Sequence, residues 1–391
     1  MIQKAGKLFP HDQKYIYILL VFFISLTLPK FVQAEVEVIE IDINNFNSFI
    51  EDKVSESFSY SGLASFYNGI TAYIINEDLI KKLDENNFSI LTPNMSLVIV
   101  GHYKILVISN VNATISTVNQ KFNLGIDFQN EHTLKNQSIQ AQFLLKSDLT
   151  QMPKPFEKLK YVHLWEPFRL LCIYVEAFLL WLYSLHNFGW GVSIILLSLF
   201  FKIFTLPVNI FLIRSQRKVS HLQARLESKL EKIKANFSGE DAHKKLMDAH
   251  KELGVTPFYS LKPLLLILLP VPFLIAIFNV LGEFDLIAGA SFMWISDLAY
   301  PDAIYGISRQ IPFLGNTINL LPILMTMITI FAALLHHNKI VSVKKLRNQK
   351  LNLYFMALGF LFLFYPFPSV MVLYWTFANI WQLIQQRFIS I

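Results

Sequence analysis

The sequence has 391 residues, of which 53% are hydrophobic and 16% charged, with a mean hydropathy of +0.43. A soluble chain carries about a quarter charged residues, and several stretches here approach the ~18 apolar residues of a membrane span, so the composition predicts an integral membrane protein. The net charge of +6 requires no nucleic-acid site, because the basic residues sit in particular loops, and Cys172, the sole cysteine, excludes both an intramolecular disulfide and a cysteine metal cluster.

In chain order, Lys4, Lys7 and Lys14 precede the short apolar run 15–28, and "VQA" (32–34) offers a small-residue cleavage point after Ala34. This is the layout of a secretory leader over 1–34, with an uncleaved anchor as the alternative; both deliver the following chain outside the cytoplasm. Residues 35–163 change character. The β-branched runs 35–43, 95–110, 113–118 and 138–149, broken by Asn, Asp and Gly, predict an exported, all-β, sandwich-like domain of antiparallel strands. Within 44–94 the pattern is ambiguous, with one helix expected near Glu77–Glu85, and "MPKP" (152–155) predicts a stiff linker.

Apolar spans are predicted at 189–213, 263–282, 318–336, 351–367 and 370–388. Loops 214–262 and 337–350 are rich in Lys and Arg, whereas 283–317 has four Asp or Glu and only Arg309. The positive-inside rule therefore puts the two basic loops and the C-terminus in the cytoplasm. A span at 164–186 would reverse that order, so 164–187 is read as an amphipathic helix on the outer interface, with Arg169 and Glu176 on one face. In loop 214–262 the stripes Leu222, Leu226, Leu230, Ile233 and Leu246, Ala249, Leu253 predict a helical hairpin, joined by "NFSGED" (236–241) with Ser238 and Asp241 as a capping box.

Lys202 lies about a dozen residues from either end of its span, where a lone charge costs roughly 2.5–3.5 kcal/mol on insertion scales. Ser198, Lys202, Thr205 and Asn209 share one helical stripe; Trp375, Asn379, Gln382 and Gln386 form a second in the last span. Two polar stripes in the inner halves of two spans suggest a hydrated groove open to the cytoplasm. The alternative is interhelical hydrogen bonding, with Lys202 paired to a buried acceptor; no Asp or Glu in any span is available for that.

At this point several stretches carry a resemblance. "GWGVSIILLSLFFKIFTLPV" (189–208), with Lys202 five positions before Pro207, resembles the first conserved span of the YidC/Oxa membrane protein insertases. "MWISDLAYPD" (293–302) with "LLPILM" (320–325), and "FPSVMVLYWTFANIWQLIQQRF" (367–388), resemble the family's external loop and last span. The likeness covers about 164–391 and is collinear. It implies a membrane α-helical fold: a five-span insertase core over 188–391 with a cytoplasmic helical hairpin, behind an exported β domain in the periplasm of a bacterial inner membrane. It further implies a protein that places nascent membrane proteins into the bilayer, alone or with the Sec translocon, without ATP or cofactor. The hairpin would meet ribosome, targeting factors or anionic lipids. Lys202 stands where the family usually has arginine, "LLLILLPVPF" (264–273) lacks a common glutamine, and the given sequence ends at Ile391 without the basic tail that docks ribosomes. These departures keep a second class open: a specialised paralogue acting as a translocon-associated scaffold. A transporter would show internal repeats, and none is found. An enzyme would need a nucleophile, base or metal cluster. The adjacent pair His336-His337 points to different helical faces, so no catalytic or metal site is expected.

Overall fold

The computed structural model describes residues 37–389 apart from 43–44, 56–58, 78, 84–87, 119–120, 127–137, 153, 186–187, 253–267, 269, 313 and 336–342. The leader at 1–34, the hairpin's end at 253–262, the start of the span at 263–270 and His336-His337 lie wholly or largely outside the described residues.

The N-terminal part is a β domain. Strands β1 (Glu37–Asp42), β2 (Thr71–Asn76), β3 (Leu79–Lys82), β5 (Met95–Val100), β6 (Lys104–Ser109) and β9 (Ser138–Leu145) form one antiparallel sheet in the order β1-β9-β6-β5-β2-β3. Strands β4 (Phe88–Leu91), β7 (Ala113–Val118) and β8 (Lys121–Ile126) form a second. Alternation along a strand sends Leu97 and Ile99 to one face and Val98 and Val100 to the other. The first face packs against Leu91, Ala113 and Ile115 of the small sheet and against Phe46 and Ile50 of helix α1 (Phe46–Lys53). The second is covered by Leu149, Phe156 and Leu159. Burial on both faces explains why "LVIV" is an uninterrupted apolar run.

Three local expectations change. The helix expected near Glu77–Glu85 is instead the β2–β3 hairpin, with Ile75 opposite Ile80 and Asn76 opposite Leu79; cross-strand pairing outweighs the local helical tendency of a charged stretch. The run 95–110 is two strands, turning at Gly101, His102 and Tyr103. The expected stiff linker is packed structure: helix α2 (Lys154–Glu157) leads into buried Leu159, Lys160 and Tyr161.

The C-terminal part is helical: α3 (Glu166–Ser184), α4 (Gly189–Asn236), α5 (Gly239–Glu252), α6 (Val271–Glu283), α7 (Leu320–Leu335), α8 (Val343–Phe364) and α9 (Ser369–Ile389). α4 holds the predicted first span and the first arm of the hairpin in one unbroken helix of 48 residues. Of an 18-residue apolar stretch within its segment Gly189–Leu212 only 22% is buried, against 44% of the corresponding stretch of α3. Ile203, Met327, Phe331, Phe355 and Phe362 face outward from α4, α7 and α8. Helices this apolar on their open faces need a hydrocarbon solvent. Loop 283–317 contains a hairpin that the sequence did not announce, β10 (Tyr305–Ile311) with β11 (Gly315–Ile318).

The β domain caps one end of the bundle. Tyr60, Ala64, Tyr67 and Tyr103 belong to the same buried cluster as Phe178, Val280, Leu281, Met371 and Tyr374. Tyr60 Oη donates to the Ala299 carbonyl at 2.6 Å, and Tyr67 Oη to Met371 Sδ at 3.6 Å. Gly282 permits this approach, since a Cβ there would collide with Tyr67 Oη. At the same end Asp302 Oδ2 accepts from the Leu321 N–H at 2.7 Å, satisfying an orphan donor in the first turn of α7. Asn319 Nδ2 donates to the Tyr365 carbonyl at 2.7 Å just beyond α8, and the Ser369 N–H to the Tyr300 carbonyl at 2.9 Å at the start of α9.

Charge locks the cap. Lys146 Nζ meets Glu283 Oε2 at 2.8 Å, and Asp285 Oδ2 accepts from the Ser147 N–H at 3.1 Å and Oγ at 2.7 Å. Burial alone would raise the Glu283 carboxyl, but Lys146 and His163 together hold it below the ordinary glutamate range. His102 is stacked on Tyr67 and Tyr103 with ring centroids 4.3 and 3.9 Å away, and its Nε2–H donates to the Gly282 carbonyl at 2.6 Å. Burial lowers its pKa from 6.5 to about 4, so the ring is neutral.

Candidate functional site

Helices α4 and α9 both start at the capped end and run side by side away from it, so equivalent turns of the two meet. Apolar spacing fixes which faces they share, and the polar stripes fall on or beside that seam. Ser198 Oγ donates back to the Ile195 carbonyl at 2.7 Å and accepts from Trp381 Nε1 at 3.1 Å. One turn further from the cap, the Lys202 ammonium donates to Gln382 Oε1. No carboxylate is in ion-pair range of Lys202 among the described residues. Its charge is thus held by a neutral amide, which solvates a cation without cancelling it.

The next turn is polar as well. Thr205 is buried, and its hydroxyl donates to the Phe201 carbonyl at 3.0 Å. Asn209 Nδ2 reaches Thr205 Oγ1 at 3.4 Å. Pro207 lies inside the helix beside them; lacking an N–H, it leaves the carbonyl four residues earlier, that of Ile203, without its helical donor.

The second stripe divides among three neighbours. Gln382 faces α4. Asn379 Nδ2 donates to Thr329 Oγ1 of α7 at 3.0 Å. The Trp375 ring packs on α8, with centroids 5.8 Å from Phe360 and 5.2 Å from Phe364. The side chain of Gln386 lies outside the described residues. So the structure brings Lys202 and Gln382 together, sends Asn379 to a third helix, and packs Trp375 among aromatics.

Residues that the spacing argument missed are Trp381, Thr329 and Gln385. Gln385 is 7% exposed, and neither Nε2 nor Oε1 has a hydrogen-bond partner among the described residues. The signal was faint: three glutamines at 382, 385 and 386, of which periodicity selects two without saying where the neighbouring helix crosses. Among the described residues no group of three or more His, Cys, Asp or Glu is placed to hold a metal.

The expected polar face of α3 is covered. Arg169 and Glu176 are 8% and 4% exposed. Glu176 takes Lys160 Nζ on Oε1 and Tyr161 Oη on Oε2, while Arg169 Nε and Nη2 form a fork on Glu166, each at 3.0 Å. The chain entering α3 folds back over the helix and supplies both partners of Glu176, while Arg169 is held by Glu166 in the helix's own first turn.

Comparison with known proteins follows the same stretch. Residues 181–391 match the family described as 60Kd inner membrane protein. A Membrane protein insertase YidC of Chlamydia caviae is 36% identical over 232 residues, 57% of this chain and 28% of that protein. The protein of that name from Treponema denticola is 35% identical over 209 residues, 52% of this chain and 34% of its own. That from Leptospira interrogans serovar Lai is 30% identical over 268 residues, 67% of this chain and 39% of its own. The match therefore spans between about a quarter and two fifths of these relatives' length. With the matched region holding α4 to α9 entire and more than half of its residues, the chain belongs to the 60Kd inner membrane protein family.

Proposed function

We propose that this chain is a membrane protein insertase, and that its working surface is the polar seam between α4 and α9. The observation that carries the reading is Lys202: an ammonium in the middle of the apolar segment of α4, held among the described residues by the neutral amide of Gln382. A client's polar tail enters the seam from the cytoplasm, where side-chain and water partners replace those its backbone loses in lipid. The ammonium attracts the tail's acidic residues, and the client's apolar segment then moves into lipid. The step needs neither a catalytic group nor a cofactor. The relatives' name supports the reading.

In this proposal α4, α6, α7, α8 and α9 cross the membrane, the β domain lies outside in the periplasm, and the C-terminus and the α4–α5 hairpin lie inside. The start of α4, the end of α6, the start of α7, the end of α8 and the start of α9 all lie at the capped end, the alternation that five crossings require. α3 lies at the outer interface. Its midpoint, Glu176, is paired with Lys160 from the chain just before it, and a crossing helix would carry that segment into the hydrocarbon core. Partners are nascent membrane proteins, with the Sec translocon, and with ribosome, targeting factors and anionic lipids at the basic hairpin.

The Lys202–Gln382 bond also favours a second reading, in which Lys202 only ties two helices. Lys202→Arg, Lys202→Ala and Lys202→Glu separate the two in proteoliposomes, by protease protection of a single-span client with an acidic tail. The insertase reading expects Arg to retain insertion, Ala to reduce it, Glu to abolish it, and the Ala defect to shrink when the tail acids are neutralised. If the tie is the whole role, the Ala protein loses stability and tail charge has no effect.

A further inference from the structure

Gln385 is a polar side chain that the charge-based account does not use. At roughly 100° per residue it falls about 40° round α9 from Trp381 and about 60° from Gln382. Those two residues are the ones that touch α4, at Ser198 and Lys202. Gln385 therefore faces the same seam one turn further from the cap, at the level of Thr205 and Asn209. Both positions opposite it are spoken for: the Thr205 hydroxyl is turned to its own helix and Asn209 to Thr205. The carboxamide is 7% exposed, with donor and acceptor both unpartnered among the described residues. A buried group in that state costs roughly 1–3 kcal/mol, a cost that a static helix contact would avoid with leucine.

A carboxamide presents an N–H donor and a carbonyl acceptor side by side, the complement of the N–H and C=O of one residue in an extended chain, which point to the same side. We propose that Gln385 binds the main chain of the client's polar tail as it passes between α4 and α9, independently of the tail's sequence. Lys202 and Gln385 then divide the work. The ammonium reads charge; the amide takes any extended backbone. This inference rests on the insertase reading above and adds to it a second binding residue of different chemistry.

The test uses the full-length protein in proteoliposomes and two synthetic probes with the same apolar span, one with a Gly/Ser tail and one with Asp added to that tail. Gln385→Leu should lower protected-tail yield about five-fold for both probes, the weight of roughly one buried hydrogen bond. Lys202→Ala should lower it for the Asp probe alone. Wild-type yield of the Gly/Ser probe by Gln385→Leu overturns the inference and leaves the insertase reading standing. Insertion of neither probe by the unaltered protein removes that reading, and this inference with it. A second measurement does not depend on the Leu variant folding. Gln385→Cys in a Cys172→Ser background, mixed with probes carrying one tail cysteine and oxidised by copper phenanthroline, should form disulfides at successive positions of either tail. Absence of cross-links from both tails overturns the proposal.

Discussion

The two ends of the helical bundle solve the problem of polar groups in opposite ways. At the capped end most of the groups come in closed sets: Lys146 on Glu283, Ser147 on Asp285, Tyr60 on Ala299, Asp302 on the first turn of α7; His102 Nδ1 departs from this, buried without a partner among the described residues. Along the α4–α9 seam the sets stay open, with Lys202 on a neutral amide and Gln385 on nothing among the described residues. Closed sets specify one arrangement, because breaking any member leaves a buried charge or dipole behind. Open ones are poor structural cement, and departures of this kind are expected at functional sites. Under the proposed reading, the contrast separates the part that holds the bundle from the part that meets the client.

The largest effect that would sharpen this contrast is at the cap. Glu283→Ala leaves the Lys146 ammonium, with a side chain 12% exposed, without its partner, and should cost roughly 3–5 kcal/mol. Thermal unfolding of the detergent-purified protein should show it, while Lys202→Met in the seam should shift the midpoint far less. Equal shifts would erase the distinction between the two ends.

Next in size is pH. The folded pKa of His102 is about 4, below its ordinary 6.5, so the undocked or unfolded state binds the proton first. The cap's stability is full above pH 6.5 and falls as pH drops toward 4, by roughly 3 kcal/mol over the window. The depressed Glu283 carboxyl acts in the same direction at the acid end, since its contribution is lost as pH falls through its folded pKa. Limited proteolysis of the β domain should accelerate across this range. His102→Phe should remove the part between pH 6.5 and 4, and an unchanged profile in that variant would assign the effect elsewhere.

The smallest effect is at the top of the seam. Ser198→Ala removes the acceptor of Trp381 Nε1 and should cost about 1 kcal/mol, read as a modest drop in unfolding midpoint with client insertion retained. A loss of insertion larger than the loss of stability would extend the working surface up to Ser198.

Much of this was legible in the sequence. The last span was read at 370–388 and α9 is Ser369–Ile389; the third was read at 318–336 and α7 is Leu320–Leu335. Period and apolarity determine these bounds. Lys202 was legible because a lone charge in an apolar run has few explanations. Partners were not legible, because periodicity gives a face and never the crossing point of the next helix: it paired Gln386 with Gln382 and passed over Gln385. The continuity of α4 was available but unread. No Gly or Pro stands between Val208 and Ser238, whereas apolarity alone ends the span where charge begins. In the β domain, the strand at Leu79–Lys82 depends on Tyr73 to Asn76 beside it, a relation no local window contains.

That continuity has a mechanical consequence. Forty-eight residues make a rod about 72 Å long at roughly 1.5 Å per residue, too long for any bilayer to contain. Its one built-in soft point is Pro207. Five residues toward the cap, about 7.5 Å away, lies Lys202; on the other side the rod runs about 44 Å to Asn236. The proportions are those of a lever with its pivot near the load. A sideways push on the far arm of the rod is geared down about six-fold in distance and up by the same factor in force before it reaches the ammonium.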